Sequence, residues 1–227
     1  MREICFDTET TGLDPKDGHR VVEIGGVEII NKVRTGKSFH QYINPQRDMP
    51  NEAFKIHGLS GEFLKDKPVF KDVAQDFLDF IGDAKLVAHN ASFDMKFINH
   101  HLRDCNLEII ERRFVIDSLE IARKKFPGAG NSLDALCKRF GVNLGRRTKH
   151  GALLDSELLA DVYIELLGGN QISMFESGDE KKEMFSKSAK AQNLNILPKR
   201  DFPLKKEETE AHKEFINKNF KENLWDY

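Results

Sequence analysis

Four carboxylates and one histidine fall in three short stretches of this chain: Asp7-Thr8-Glu9, His89-Asn90-Ala91-Ser92-Phe93-Asp94 and His150-Gly151-Ala152-Leu153-Leu154-Asp155. Hard divalent cations such as Mg²⁺ take oxygen ligands, and two of them about 3.5–4 Å apart clamp both the attacking and the leaving oxygen of a phosphodiester. Four carboxylates make such a ligand set. Imidazole titrates near neutral pH, so a histidine beside the cluster suits the deprotonation of water. Phosphodiester hydrolysis is the chemistry these residue types point to.

Each residue also has a plainer reading. Asp7 and Glu9 are two apart, so on a strand both leave the same face, although a solvated edge strand shows the same pattern. Asp94 falls in the first turn of a predicted helix, where the helix dipole already favours negative charge whether or not a metal binds. Asp155 shares an i, i+3/i+4 stripe with Ala152, Leu159, Val162 and Leu166, which places a carboxylate on a face that should be buried. A buried carboxylate must be paired or bind a metal; a salt bridge to a nearby arginine is the alternative. His150 sits in the loop before that helix, behind Arg146, Arg147 and Lys149, and reads either as a general base or as a surface histidine. His89 reads as a structural histidine at a strand end, Asp117 as a helix N-cap, and His100 and His101 as surface residues.

The elements that must position these residues alternate along the chain. Strands are expected at Glu3 to Thr8, Val21 to Ile30 and Ser38 to Ile43, an antiparallel meander whose first turn is Thr11-Gly12-Leu13-Asp14-Pro15. Apolar spacing then predicts a helix from Val69 to Ile81, a short buried strand from Lys85 to Ala88 and a helix from Ser92 to Leu102. A strand from Arg113 to Ile116 follows, and Asp117 with Glu120 resembles a capping box for the helix Ser118 to Lys125. Asn131 or Ser132 starts a further helix that Gly141 ends, and Ala152 to Leu167 forms a long closing helix. The pattern is that of the α/β class, a mixed sheet flanked by helices.

Composition bounds the rest. The 227 residues, 39% of them apolar, suffice for one well-buried domain and an appendage. The composition turns polar and charged near Gly168-Gly169, so a domain is expected over 1–169 and a flexible tail over 170–227. A formal charge of −2 argues against a protein that coats duplex DNA, yet is compatible with one that grips a strand end. Cys5, Cys105 and Cys137 form no Cys-x-x-Cys pair, which excludes a zinc site of that type and fits a reducing cytoplasm. No signal-peptide h-region and no apolar run of membrane-spanning length is present, so neither export nor a membrane is expected.

Taken together, Asp-Thr-Glu-Thr-Thr-Gly, His-Asn-Ala-Ser-Phe-Asp and His-Gly-Ala-Leu-Leu-Asp resemble the three motifs of the DEDDh 3′→5′ exonucleases. More narrowly, the chain is similar to the proofreading epsilon subunits of bacterial DNA polymerase III from Arg2 to about Gly169. The similarity includes Glu52-Ala53-Phe54-x-x-His57-Gly58 and Phe126-Pro127-Gly128 followed by Asn131-Ser132-Leu133-Asp134-Ala135-Leu136-Cys137. The resemblance implies a ribonuclease-H-like fold and two divalent cations, Mg²⁺ or Mn²⁺, on Asp7, Glu9, Asp94 and Asp155, with His150 as the base. It implies that the substrate is the 3′ end of single-stranded or mispaired DNA, contacted by Asp7, Glu9, Asp155, Glu52 and His57. On residue type alone, Glu52 and His57 are equally a helix cap and a turn histidine.

Beyond the domain, Gln171-Ile172-Ser173-Met174-Phe175 resembles the peptide by which polymerase subunits dock on the sliding clamp. Met174 and Phe175 would fill an apolar groove, with Gln171 hydrogen-bonding at its rim. Phe215, Ile216, Phe220, Leu224, Trp225 and Tyr227 are too apolar for a solvated tail and suit a segment ordered by a partner. The resemblance implies that this partner is the polymerase III catalytic (alpha) subunit. Two other functions share parts of the pattern. A stand-alone DEDDh exonuclease of RNA maturation or DNA repair needs the same five residues without the tail, and a non-catalytic adaptor between polymerase and clamp needs the tail without the acids.

Overall fold

The computed structural model describes residues 1–145, 149–169 and 206–219. Its inter-residue contacts divide the chain into two units, Met1–Met174 and Phe175–Tyr227. The described part of the second unit is the helix Lys206–Asn219, on which Ile216 is buried and Phe215 exposed. Gln171, Met174 and Phe175 lie outside the described residues, as do Arg146 and Arg147.

In the first unit, strands β1 (Arg2–Thr10), β2 (Val21–Ile30), β3 (Val33–Tyr42), β4 (Lys85–Ala88) and β5 (Val115–Asp117) form one mixed sheet in the order β3-β2-β1-β4-β5. The β1-β2-β3 meander is antiparallel, whereas β4 pairs parallel with both β1 and β5. Helices α1 (Asn51–His57), α2 (Gly61–Leu64), α3 (Phe70–Ile81), α4 (Ala91–Asp104), α5 (Ser118–Lys125), α6 (Leu133–Phe140) and α7 (Ala152–Leu166) complete it. This is the expected α/β architecture. α1 and α2, which the periodicity does not announce, are added.

Strand alternation sends β1 to two cores. Ile4 and Phe6 pack with Phe77 of α3 and Phe97 and Ile98 of α4, while Cys5 packs with Leu159, Ala160 and Tyr163 of α7. The sheet is therefore sandwiched, and Asp7 and Glu9, in phase with Cys5, leave on the α7 side. α7 is buried over most of its circumference: Leu159 and Tyr163 face the sheet, and Leu158, Val162 and Leu166 pack with Ala122 of α5 and Leu136 of α6. Its apolar residues therefore extend well beyond the single stripe through Asp155.

Several local expectations change. β1 and β3 run longer than apolar alternation alone indicates, because pairing with β2 carries them on through polar residues. Arg112–Phe114 is a 3₁₀ turn, so β5 starts at Val115. Asp117 caps α5, accepting from the Leu119 amide at 2.9 Å, whereas Glu120 meets Arg112 at 3.7 Å rather than closing a capping box. Ser132 caps α6, and Gly141 ends it at φ 71°. His101 is buried rather than on the surface: its Nε2 accepts the Val21 amide at 3.2 Å and its ring stacks on Phe70 at 4.7 Å. Counting four residues on from the buried Phe97 already puts His101 on the inner face of α4.

Candidate active site

The C-terminal end of β1 meets the first turns of α4 and α7, and the predicted acids gather there. Glu9 is 8% exposed, Asp94 2% and Asp155 3%; Asp7 is half-buried. Burial so complete around several like charges has an electrostatic consequence. Desolvation pushes the Asp94 carboxyl up to about 7, against the opposing pull of the Thr8 hydroxyl.

Thr8, between two of the predicted ligands, holds the third. Asp94 Oδ1 accepts both the Thr8 hydroxyl at 2.7 Å and the Thr8 amide at 3.1 Å. Because strand side chains alternate, Thr8 faces α4 while its neighbours face α7, so one tripeptide addresses both helices. Nothing in the composition of Asp-Thr-Glu announces this role. Only the position of Thr8 between two carboxylates could have suggested it.

The approach of α7 depends on a glycine. Asp7 pairs across the sheet with Gly25 of β2, and a Cβ at Gly25 would lie 2.2 Å from the Ala152 carbonyl carbon and 2.3 Å from the Leu153 nitrogen. With no side chain there, the first turn of α7 rests on the strand backbone. Ser156 Oγ sits at the contact, its one proton within reach of both Gly25 O at 2.9 Å and Ala152 O of its own helix at 2.7 Å. Asp155 is thereby delivered beside Glu9. Gly25-Gly26 inside a strand of valines, isoleucines and two glutamates is the sequence signal for a close backbone approach.

His150 precedes α7 on a loop tied to α1. Its amide donates to Ile56 O at 3.3 Å, and the neighbouring Lys149 ammonium lies 5.1 Å from the Phe54 ring centroid. The ring is half-exposed, and its Nδ1 stands 3.1 Å from Asp155 Oδ2. Glu9, His150 and Asp155 thus offer ligand atoms that all lie within 4.8 Å of one another. Two carboxylates at that spacing suit a divalent cation with the imidazole beside it, and the cation's charge would offset the cost of burying the acids. Asp94 reaches this group through Thr8, and Asp7 through its place on the same face of β1.

A cavity of about 570 Å³ opens beside the cluster, lined by Glu9, His19, Glu52, Ile56, His57 and Phe93 among others. Glu52 is exposed at its edge, and His57 is buried. His57 Nδ1 accepts the Leu59 amide at 3.0 Å, which places the ring proton on Nε2. Burial lowers the His57 pKa, so the ring is neutral at pH 7. His89 and Asp117 remain structural: His89 meets Ser118 Oγ and Asn131 O, both at 2.9 Å, and Asp117 accepts the Asn90 and Ala91 amides, both at 3.1 Å. Together they fix the turn that starts α4 and so aim Asp94.

Known proteins share both sequence and fold. Residues 4–163 match the exonuclease family. The chain is 55% identical over 225 residues to the DNA polymerase III subunit epsilon of Rickettsia prowazekii (strain Madrid E), covering 96% of each chain. It is 45% identical over 249 residues to that of Haemophilus influenzae (strain ATCC 51907 / DSM 11121 / KW20 / Rd), covering 99% of this chain and 94% of the relative. Among solved structures, exonuclease X in complex with 5′ overhanging duplex DNA superposes with a TM-score of 0.58 at 29% identity, over 74% of this chain and 90% of that one. The nuclease domain of 3′hExo, a DEDDh family member bound to rAMP, shares the fold with a TM-score of 0.64 at 19% identity, over 74% and 92% of the two chains. With buried acids converging where β1, α4 and α7 meet, and with relatives matching it almost end to end, this chain belongs to the exonuclease family and, within it, to the epsilon subunits of DNA polymerase III.

Proposed function

We propose that this chain is a 3′→5′ exodeoxyribonuclease that proofreads DNA replication as the epsilon subunit of DNA polymerase III and releases 5′-nucleoside monophosphates. What supports this most is the convergence of Glu9, Asp155 and His150 from opposite ends of the domain, next to a cavity wide enough for a nucleotide. Asp7, Glu9, Asp94 and Asp155 would hold two divalent cations, Mg²⁺ or Mn²⁺, which when bound supply positive charge to an attacking water and to the departing 3′ oxygen. His150 moves the proton. With Nδ1–H donating to Asp155, its Nε2 keeps the lone pair and takes a proton from the attacking water. Half-exposed, the ring then returns that proton to solvent.

Glu52 and His57 hold the 3′-terminal nucleotide. His57 lines the cavity with its Nε2 buried, so it would meet the nucleotide with the face or edge of its ring, while Ile56 and Phe93 supply apolar surface for the base. The peptide Gln171-Ile172-Ser173-Met174-Phe175 docks on the sliding clamp, and the apolar residues from Phe215 onward engage the polymerase catalytic subunit. No described helix is long and apolar enough to cross a membrane. A cytoplasmic, replisome-associated protein follows from this reading.

The test is the release of mononucleotides from single-stranded DNA, from DNA with a mispaired 3′ end and from an RNA oligomer, with and without divalent cation. Cation-dependent release, fastest from unpaired DNA ends, is expected. A preference for RNA would instead point to RNA maturation, and no release under any condition would leave an adaptor between polymerase and clamp.

A further inference from the structure

The turn from Asp17 to Arg20 is a wall with a cavity on each side. Asp17 and His19 line the cavity that also holds Glu9, Glu52 and His57; Gly18 and Arg20 line a second one, of about 470 Å³. The second cavity is cationic. Arg20, Arg47 and Lys71 reach it from the turn before β2, the loop after β3 and the first turn of α3, and among the described residues Asp104 is the one carboxylate in its lining.

Asp104 already pairs with Arg20 at 2.8 Å, with His100 3.6 Å away. Neither Arg47 nor Lys71 pairs with a carboxylate among the described residues. Arg47 is held by the neutral Gly18 carbonyl, on a loop that is itself fixed. Asn44 Nδ2 donates to Lys65 O and Asn44 Oδ1 accepts the Gln46 amide, both at 2.8 Å, with Gln46 in the left-handed region at φ 54°. Arg47 is therefore preorganised rather than loosely solvated. Cations brought together without a counter-charge repel one another, and an anion placed between them relieves that repulsion. One chain segment away lies the cavity assigned to a strand end, whose next groups along the polymer are phosphates.

We propose that this cavity is a second subsite, holding a backbone phosphate of the strand whose 3′ end occupies the neighbouring cavity, with Arg47 and Lys71 as the phosphate contacts. The inference rests on the nuclease function proposed for the neighbouring cavity. A free phosphate has the same chemistry as the phosphodiester, so the test separates the two.

The Arg47→Gln/Lys71→Gln protein is compared with the parent on two substrates at saturating divalent cation. One is the p-nitrophenyl ester of thymidine 5′-monophosphate, which fills the terminal subsite alone; the other is a single-stranded oligomer of about eight nucleotides. Both side chains are exposed, so folding is not at stake, and the ester rate reports it directly. The oligomer-to-ester ratio of kcat/KM should fall in the variant, through KM rather than kcat. Neutralising one single-strand phosphate contributes about −0.7 to the slope of log affinity against log salt. Between about 50 and 200 mM salt, the parent's KM for the oligomer should therefore rise about 2.6-fold more than the variant's. An equal loss on both substrates, or no loss on either, overturns the subsite. So does inhibition by inorganic phosphate that the variant escapes while the two salt slopes stay equal, because the cavity would then bind free phosphate. Hydrolysis of neither substrate by the parent would sink the nuclease function instead, and the subsite would then stand or fall on the salt slope of labelled-oligomer binding, read by fluorescence anisotropy.

Discussion

Replacing Gly25 with alanine tests whether the contact between β2 and α7 sets the geometry of the acidic cluster. The added methyl would lie 2.2 Å from the Ala152 carbonyl carbon, whereas carbon contacts settle near about 3.5 Å. The obstacle is helix backbone, which cannot rotate aside as a side chain can, so strand and helix must separate by roughly 1.3 Å, the difference between those two distances. Overpacking of this kind costs about 1–3 kcal/mol, and loss of Gly25 O as an acceptor for Ser156 adds at most about 1 kcal/mol, because the hydroxyl keeps Ala152 O. Together these lower the melting temperature by roughly 5–15 °C for a domain of this size. Asp155 and His150 ride on the start of α7 and move with it. A displacement of about 1 Å in a reacting group lowers turnover on the order of 10²-fold. Circular-dichroism melting, together with steady-state turnover on a single-stranded oligomer well below the variant's melting point, reads both effects. Gly26→Ala is the control, because its methyl would meet the Phe80 side chain at 3.2 Å, a contact that can give. A Gly25→Ala protein that melts within about 2 °C of the parent and turns over within about threefold of it would refute the positioning role of this contact.

Four further outcomes are expected. His150→Ala should lose on the order of 10²–10⁴ in kcat, the usual contribution of a positioned base; cation binding lost together with the rate, by calorimetry, would make His150 structural instead. Thr8→Val removes the 2.7 Å hydroxyl bond to Asp94 and should weaken cation affinity by roughly 10–100-fold in a metal titration, whereas unchanged affinity would show that Asp94 is not tuned through Thr8. His101 stays neutral in the fold down to about pH 4 because burial, then Arg20, opposes its protonation. The unfolded chain takes up that proton near about pH 6.5, so the stability His101 provides is complete above that pH and declines as pH falls towards 4, by at most about 3 kcal/mol. Urea unfolding of the parent and of His101→Gln at neutral and acid pH should show the variant losing less over this window, and parallel curves would dismiss the effect. Met174→Ala/Phe175→Ala should reduce clamp affinity by at least about 2 kcal/mol, in the manner of interface hot spots, with exonuclease activity on free oligomers retained; undiminished clamp binding in a pull-down would return the peptide to a linker.

Much of the site is legible before folding because the information is local. The order of acids and histidine, the two-residue spacing of Asp7 and Glu9, and the conflict between Asp155 and its apolar stripe all reside in short windows read at strand or helix period. The same holds for the alternation of strands and helices and for the caps at Asp117, Ser132 and Gly141. α1 and α2 escape that reading because they are too short for periodicity to register.

Contacts between distant segments belong to the tertiary structure alone. β1 presents Asp7 and Glu9 to α7 and Thr8 to α4 only because helices cover both faces of the sheet; on a half-exposed sheet the same tripeptide would send one set of side chains into water. His101, polar and near a helix end, is buried because α3 supplies Phe70 to stack on it and β2 supplies an amide to its Nε2. The sequence by itself determined which groups can carry the chemistry, since that depends on residue type and short-range spacing. Their distances were decided by the packing of α7 on the bare backbone of Gly25, because the separation of residues far apart in the chain depends on which surfaces can come together without a side chain between them.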